Sequence, residues 1–289
     1  MRIHALKVGS MSIKTSYYAG KGKVRALRLS SVLLDPQFME VPVYAWAIEH
    51  PEGVIVIDTG LTARMTAPSY FPWLQRPYWL TQYRFNITPD EEIGPQLIAR
   101  GISPGDVRWV VLTHAHFDHT QALYHFPNSE IVFYHKEYQD VQTFRSAHFD
   151  FPAKWPKGLK IRQIDYVNEP VGPFAESYPL TQAGDVRLLP TPGHTDTHQS
   201  VILQENGLTY FFAGDTSFDL KSLLDGTIDA PAMNSDLTLE TRQRIIELGR
   251  TTPLVYLPTH DAETGTRLAH RTPLFAATTQ NAYEHAVLP

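Results

Sequence analysis

The stretch Thr113-His114-Ala115-His116-Phe117-Asp118-His119-Thr120 places four side chains able to bind a metal within six residues. Imidazole nitrogen and carboxylate oxygen suit zinc and similar divalent ions, and a catalytic site that keeps one position open needs its ligands on short, rigid backbone. Three imidazoles and a carboxylate buried together without partners would be costly. Three more metal-competent residues recur in one context: His194 in Pro190-Thr191-Pro192-Gly193-His194-Thr195, Asp215 in Ala213-Gly214-Asp215-Thr216, and His260 in Pro258-Thr259-His260-Asp261. Each follows a short apolar run, and strand ends converging on one edge of a sheet can assemble a multi-ligand site. Alone, each of the three is more often a capping or hydrogen-bonding residue, and the shared context raises them. Asp58, after the run Val54-Ile55-Val56-Ile57, is balanced between a turn residue and a carboxylate that holds a ligand histidine.

The elements that must position these residues read as an α/β layer. Apolar runs at 5–8, 24–34, 43–48 and 54–57 read as strands of a β-meander. Between 62 and 85, Tyr70, Phe71, Trp73, Tyr78, Trp79, Tyr83 and Phe85 crowd among Pro68, Pro72 and Pro77. Such a segment suits a substrate-pocket wall, a subunit contact or a cover over the core, and all three stay open. Thr88 as N-cap, Pro89 at the first helical position and acids behind it open a helix with Ile93, Leu97 and Ile98 on its buried face, ended by Gly101. Strands follow at 107–112 and 130–134, a helix at 136–144, and a short strand at 161–164. The pattern then gives strands at 186–189, 200–203 and 208–212, the last two a hairpin around Glu205-Asn206-Gly207, an amphipathic helix at 237–250, and a strand at 254–257. His125, His135, His148, His198, His270 and His285 read mostly as surface or hydrogen-bonded residues, with His198 close enough to His194 to stand behind the site, while His4 and His50 sit by the N-terminal strands and carry no motif.

Composition bounds the function classes. With 289 residues, 43% hydrophobic and 19% charged, the chain can bury a large core. A net charge of −5 with no basic cluster argues against nucleic acid. The absence of cysteine excludes disulfides, thiolate ligands and a cysteine nucleophile. No run has the length of a membrane span and the first residues lack a signal-peptide core, so the expectation is a cytoplasmic protein with no membrane partner.

The pattern running from Asp58 through 114–119 to His194, Asp215 and His260 resembles the metallo-β-lactamase superfamily. Within it the chain is most similar to the N-acyl-homoserine lactonases, the quorum-quenching hydrolases. The likeness rests on Phe117 inside the cluster, residues 131–138, Val41-Pro42-Val43-Tyr44 ahead of 54–60, and a length without a large extra domain. It implies an α/β fold, the four-layer αβ/βα sandwich, as a single domain over 1–289. Two divalent metal ions would lie at one edge, zinc foremost, with cobalt, manganese or iron as alternatives. It makes His114, His116 and His194 ligands of one metal, Asp118, His119 and His260 ligands of the other, and Asp215 the bridge. A hydroxide shared by the metals would attack the lactone carbonyl, and Asp118, as the catalytic residue, would pass a proton to the leaving alkoxide. Phe117, Phe218, Tyr70, Trp73, Tyr83 and Phe85 are the candidate substrate contacts, the partner being a small lactone or ester, with a homodimer as a possible assembly. Two departures bear on the substrate. Phe218 stands three residues after Asp215, where these lactonases usually carry a tyrosine, and Thr120-Gln121-Ala122 follows the cluster where smaller residues are common. Phenylalanine donates no hydrogen bond, so the alternative is another small ester, a glyoxalase II-like thioester or a phosphotriester. A glutathione thioester would call for a basic C-terminal patch, where only Arg267 and Arg271 are scattered. A redox or purely structural metal protein is the remaining reading, against which stands the catalytic pattern of the loops.

Overall fold

The computed structural model describes residues 1–22, 24–142 and 154–275; His148, His285 and the end of the helix expected over 136–144 lie outside the described residues. The chain opens with β1 (Arg2–Lys14), the single turn α1 (Thr15–Tyr18) and α2 (Arg25–Leu34), then β2 (Phe38–Glu49) and β3 (Val54–Ile57). β1, β2 and β3 pair antiparallel in that order, so three of the four meander strands form as expected. The fourth, 24–34, is instead helix α2. Its leucine, alanine and arginine content favours helix, and its buried residues Arg28 and Val32 sit four apart, while Leu27, Leu33 and Leu34 are exposed.

Next come α3 (Arg76–Gln82), β4 (Arg84–Asn86), α4 (Ile93–Ile98), β5 (Val107–Val111), α5 (Phe117–Thr120), β6 (Glu130–Tyr134), α6 (His135–Val141) and β7 (Lys160–Ile164). Thr88 and Glu91 form a reciprocal capping box, but it closes only a 3-10 turn over Pro89–Glu91, and the helix restarts as α4. Ile93 and Leu97 are buried there; Ile98 lies on the opposite face and is 63% exposed, contrary to expectation. The remainder is β8 (Tyr178–Pro179), β9 (Val186–Pro190), β10 (Gln199–Glu205), β11 (Leu208–Gly214), α7 (Leu220–Asp225), α8 (Ser235–Thr251), β12 (Leu254–Pro258) and α9 (Thr264–Ala269). The β10–β11 hairpin turns on Asn206 and Gly207, both at positive φ (52° and 76°), the geometry a two-residue turn of this hand requires.

Two sheets result, ordered β4-β1-β2-β3-β5-β6-β7 and β12-β11-β10-β9-β8. Alternation along the strands sends neighbouring side chains to opposite faces and builds three apolar layers. Trp46, Ile57, Trp109, Val111 and Val132 of the first sheet meet Leu188, Val201, Phe212, Val255 and Leu257 of the second in the central layer. Val110, Ile131 and Phe133 face the other way, toward the layer that α4 joins through Ile93 and Leu97. On the far side Ile202, Phe211, Leu254 and Tyr256 pack against Leu223 of α7 and Ile245 and Leu248 of α8. The architecture is therefore helix, sheet, sheet, helix, as the αβ/βα reading requires. β3, β5, β6 and β7 run parallel, as do β11 and β12, so their C-terminal ends are presented together at the sheet edges.

Candidate metal centre

His114 leaves the end of β5, and α5 returns Asp118 and His119 to the same spot within one helical turn. Asp58 fixes this loop from the end of β3. Its Oδ1 accepts the Thr113 N–H at 2.8 Å, its Oδ2 accepts the Thr113 hydroxyl at 2.9 Å, and Oδ2 also receives His119 Nδ1 at 2.8 Å. The Thr59 N–H donates to the His119 carbonyl at 2.7 Å. Asp58 is thus the carboxylate that orients a histidine, with Nε2 of His119 directed away from it.

His194 sits in the loop between β9 and β10. Gly193 before it has φ of 142°, and a Cβ there would lie 2.5 Å from Cα of Thr238 in α8, so only glycine fits. Asp229 Oδ1 receives His194 Nδ1 at 3.1 Å and the Ala232 N–H at 2.8 Å, while buried Arg242 stands 3.7 Å from Oδ2. Asp215 follows β11, and its N–H donates to His198 Nε2 at 3.1 Å, which gives His198 the supporting place that its nearness to His194 suggested. His260 follows β12 and donates through Nδ1 to the Pro42 carbonyl at 2.9 Å. Glu137 of α6 joins two of these loops: it accepts the Ala115 N–H at 2.8 Å and the hydroxyls of Thr195, at 3.0 Å, and Thr197.

These supports aim the remaining ligand atoms at two points. His114, His116, His194 and Asp215 offer atoms within 4.8 Å of one another, and so do Asp118, His119, Asp215 and His260. Asp215 belongs to both groups. His194 and His260 Nε2 each lie 3.4 Å from Asp215 Oδ2, His119 Nε2 lies 3.4 Å from Oδ1, and His260 Nε2 lies 3.3 Å from Asp118 Oδ2. Ligands about 2.1 Å from a tetrahedral ion stand about 3.4 Å apart. Nε2 of His114, His119 and His260 and Oδ1 of Asp215 are buried without a hydrogen-bond partner, a heavy cost unless a cation satisfies them. The residues present therefore fit divalent metal binding.

The electrostatics point the same way. Burial drives the pKa values of His114 and His116 well below the usual histidine value. At His260 burial acts in that direction too, but the carboxylates of Asp215 and Asp118 outweigh it and hold the pKa up at about 10. Asp215 opposes its own burial through His260 and His119 and stays well below the ordinary carboxylate range. A bound cation would take over from protons on histidine in neutralising these carboxylates.

A narrow cleft of about 30 Å³ opens beside the two groups. Beside the ligand residues it is lined by Met11, Ile13, Tyr17, Tyr83, Phe117, Phe218 and Pro231. Of the candidate substrate contacts, Phe117, Tyr83 and Phe218 reach the cleft. Phe85 packs behind Phe117 at 5.8 Å between rings, Tyr70 is spent on a hydrogen bond to Gln121, and Trp73 is 75% exposed, its loop carrying it into solvent. Those three do not line the cleft. The aromatic segment is mainly a stacked cluster of Phe71, Trp79, Tyr83 and Phe85 backing Phe117.

Asp229 and Glu137 were not legible as site residues. Asp229 lies in a loop with no motif, and Glu137 looks like a solvated helix acid. The one available signal was its spacing of four from Val141, which makes both buried on one helical face.

The family model described as the metallo-beta-lactamase superfamily matches residues 39–260. An N-acyl homoserine lactonase of a Bacillus species is 26% identical over 258 residues, covering 88% of this chain and 95% of the relative. A solved N-acyl homoserine lactone hydrolase, with the product N-hexanoyl-L-homoserine at its catalytic metal centre, superposes with a TM-score of 0.72 at 20% identity, over 91% of this chain and 94% of that one. The dizinc quorum-quenching lactonase AidC gives 0.61 at 15% identity, over 91% and 88%.

Proposed function

The chain belongs to the metallo-β-lactamase superfamily, and from that premise we propose that it is a dinuclear metal-dependent hydrolase opening the lactone ring of N-acyl-homoserine lactones. The observation that carries the reading is the pair of four-residue ligand groups sharing Asp215. The lactonase relatives supply the substrate class. Two divalent ions, with zinc first among the candidates, would supply Lewis acidity and an acidified water near neutral pH. His114, His116 and His194 would hold one, Asp118, His119 and His260 the other, and Asp215 both.

The protein's own groups divide the remaining work. Asp118 lines the cleft and its Oδ2 lies 3.3 Å from His260 Nε2, so its carboxylate can carry a proton at the reacting bond and deliver it to the alkoxide as the ring opens. Asp58, Asp229 and the Pro42 carbonyl fix the tautomers of His119, His194 and His260 so that Nε2 faces the centre. Phe117 and Phe218 offer apolar contact to the substrate and keep bulk water from the carbonyl. Because Phe218 donates no hydrogen bond, hydrolysis of another small ester, a thioester or a phosphotriester on the same centre is the second reading.

The test is a panel of acyl-homoserine lactones of several chain lengths, a glutathione thioester, a phosphotriester and a β-lactam, assayed after chelation and after reconstitution with zinc, cobalt, manganese or iron. Ring opening is expected to vanish on chelation and return with metal. Lactone hydrolysis that survives complete metal removal overturns the mechanism, and a preference for another panel member overturns the substrate.

A further inference from the structure

We infer that the face carrying α2 and the aromatic segment 62–85 is a docking surface for an anionic lipid bilayer. Fourteen large apolar side chains are exposed among the described residues, and eight of them fall in these two segments. On α2 and its N-cap they are Val24, Leu27, Leu33 and Leu34, the last 84% exposed. Around α3 they are Trp73, Leu74, Tyr78 and Leu80. Apolar surface gathered in this way marks an interaction site, whereas scattered single residues do not. The two segments are continuous. Lys14 and Arg84 both lie over the ring of Phe38, four residues beyond Leu34, at 3.9 and 4.8 Å, and Arg84 Nη1 donates to the Leu80 carbonyl at 2.5 Å. The Tyr78 hydroxyl stands 3.5 Å from that of Tyr17, in the turn α1 that leads toward α2.

Charge selects the partner. The chain as a whole carries −5, yet residues 1–34 and 59–89 contain no aspartate or glutamate. Lys21 and Arg84 are exposed there and Arg25 and Arg76 half-buried, with Lys14 behind them, and none of the five stands in an ion pair among the described residues. The first acids in sequence after α2, Asp35 and Glu40, are fewer, and they accept hydrogen bonds from Thr15, Ser16 and Gln37 and from Ser10. Leucine, tryptophan and tyrosine beside lysine and arginine form a surface that inserts shallowly between anionic headgroups. A second copy meeting this face across a two-fold axis would set like charges against each other, which disfavours a homodimer here. No described helix is long and apolar enough to cross a membrane, so the chain would lie on the bilayer, in place of the expectation of no membrane partner. Tyr17 and Tyr83, which adjoin the two patches, line the cleft. Docking therefore sets the cleft near the phase into which an acyl-bearing substrate partitions; that advantage rests on the reaction proposed above, and the docking does not.

The experiment mixes the full metal-loaded chain with vesicles of phosphatidylcholine, alone or mixed with phosphatidylglycerol, and measures the bound fraction by flotation. Binding is expected on the anionic vesicles and not on the neutral ones, and should weaken as salt rises from about 0.01 M to about 1 M and the Debye length falls from about 30 Å to about 3 Å. Lys21→Gln combined with Arg84→Gln should lower affinity roughly 25-fold, about fivefold for each charge. Leu34→Ser combined with Trp73→Ser should lower it about tenfold or more. All four side chains are on the surface, and circular dichroism with metal content checks that each variant folds. Trp73 is 75% exposed while Trp46, Trp79 and Trp109 are at most 2% exposed. Bromine on the lipid acyl chains should therefore quench wild-type fluorescence, and quench far less in Trp73→Phe although that variant still binds. Equal affinity for neutral and anionic vesicles, no binding to either, binding unchanged in both double variants, or quenching that survives Trp73→Phe overturns the inference. So does a dimer in sedimentation that Leu34→Ser splits, which would make the face a subunit contact. None of these results touches the hydrolase reading, and a chain that binds anionic vesicles but cleaves no ester overturns that reading alone.

Discussion

Asp229 shows how a residue remote from the ligand motif can govern it. Its carboxylate accepts from His194 Nδ1 and from the Ala232 backbone, and Arg242 stands behind it with Nε and Nη1 committed to the carbonyls of Thr216, Ser222 and Thr227. Asp229→Asn keeps the shape but weakens the acceptor and removes its charge, so metal affinity is expected to fall about 10- to 100-fold. Competition with a chelating indicator measures this, and an unchanged affinity would refute the role. The metal-competent residues were legible because the cluster and the three lone residues all sit where apolar runs stop. Asp229 and Glu137 were not, because the hydrogen bonds that matter join positions 35 and 22 residues apart. Asp58 lay between these cases: its place at a strand end was readable, but its partner at His119 depends on β3 and β5 being neighbours.

At the scale of elements, Glu92 ties the start of α4 to two other segments. It accepts from the Thr62 hydroxyl at 3.1 Å, the Ala63 N–H at 2.7 Å, the Tyr124 hydroxyl, and His125 Nε2 at 2.7 Å. Burial acts to raise its pKa, but these donors outweigh it and bring the group down from 4.5 to about 2. A carboxylate depressed in the folded state adds stability that is complete above the unfolded value near 4.5 and is lost as pH falls through about 2. Urea unfolding between pH 6 and pH 2.5 should therefore show wild type losing stability faster than Glu92→Gln, and parallel acid slopes would count against the network. Strands were the most readable elements, since β3, β5, β6 and β12 are short, nearly continuous apolar runs buried on both faces. The misreading of α2 came from its apolar content: Leu27, Leu33 and Leu34 suggested a buried run, yet they are exposed, and the buried positions are Arg28 and Val32.

Across the whole molecule, the ligand atoms come from both sheets. His114, His116, Asp118 and His119 hang from the first, while His194, Asp215 and His260 hang from the second. A cation bound there cross-links the two halves of the sandwich and adds folding free energy by linkage, about 4 kcal/mol at a thousand times its Kd for one site. At about 2–4 °C per kcal/mol for chains of this order of size, calorimetry with and without chelator should show Tm falling by roughly 10 °C on metal removal. A shift under about 2 °C would mean that the centre does not bridge the sheets.

The pairing of β11 with β12 carries a further consequence. Phe211 faces Tyr256, Phe212 faces Leu257 and, after a local shift, Gly214 faces Pro258, so Asp215 and His260 emerge side by side from a fixed register. Losing or gaining one residue within either strand would turn both side chains to the wrong face. The stretch between them, residues 216–253, is held by the buried faces of α7 and α8 and by Phe218, Asp229 and Arg242, with exposure confined to its turns and the outer faces of those helices. Insertions and deletions should therefore be tolerated at the exposed loop tips between β11 and β12 and eliminated inside those strands. A library of single-codon length changes across 205–262, scored by retained metal binding, should trace the register as two intolerant windows flanking permissive ones.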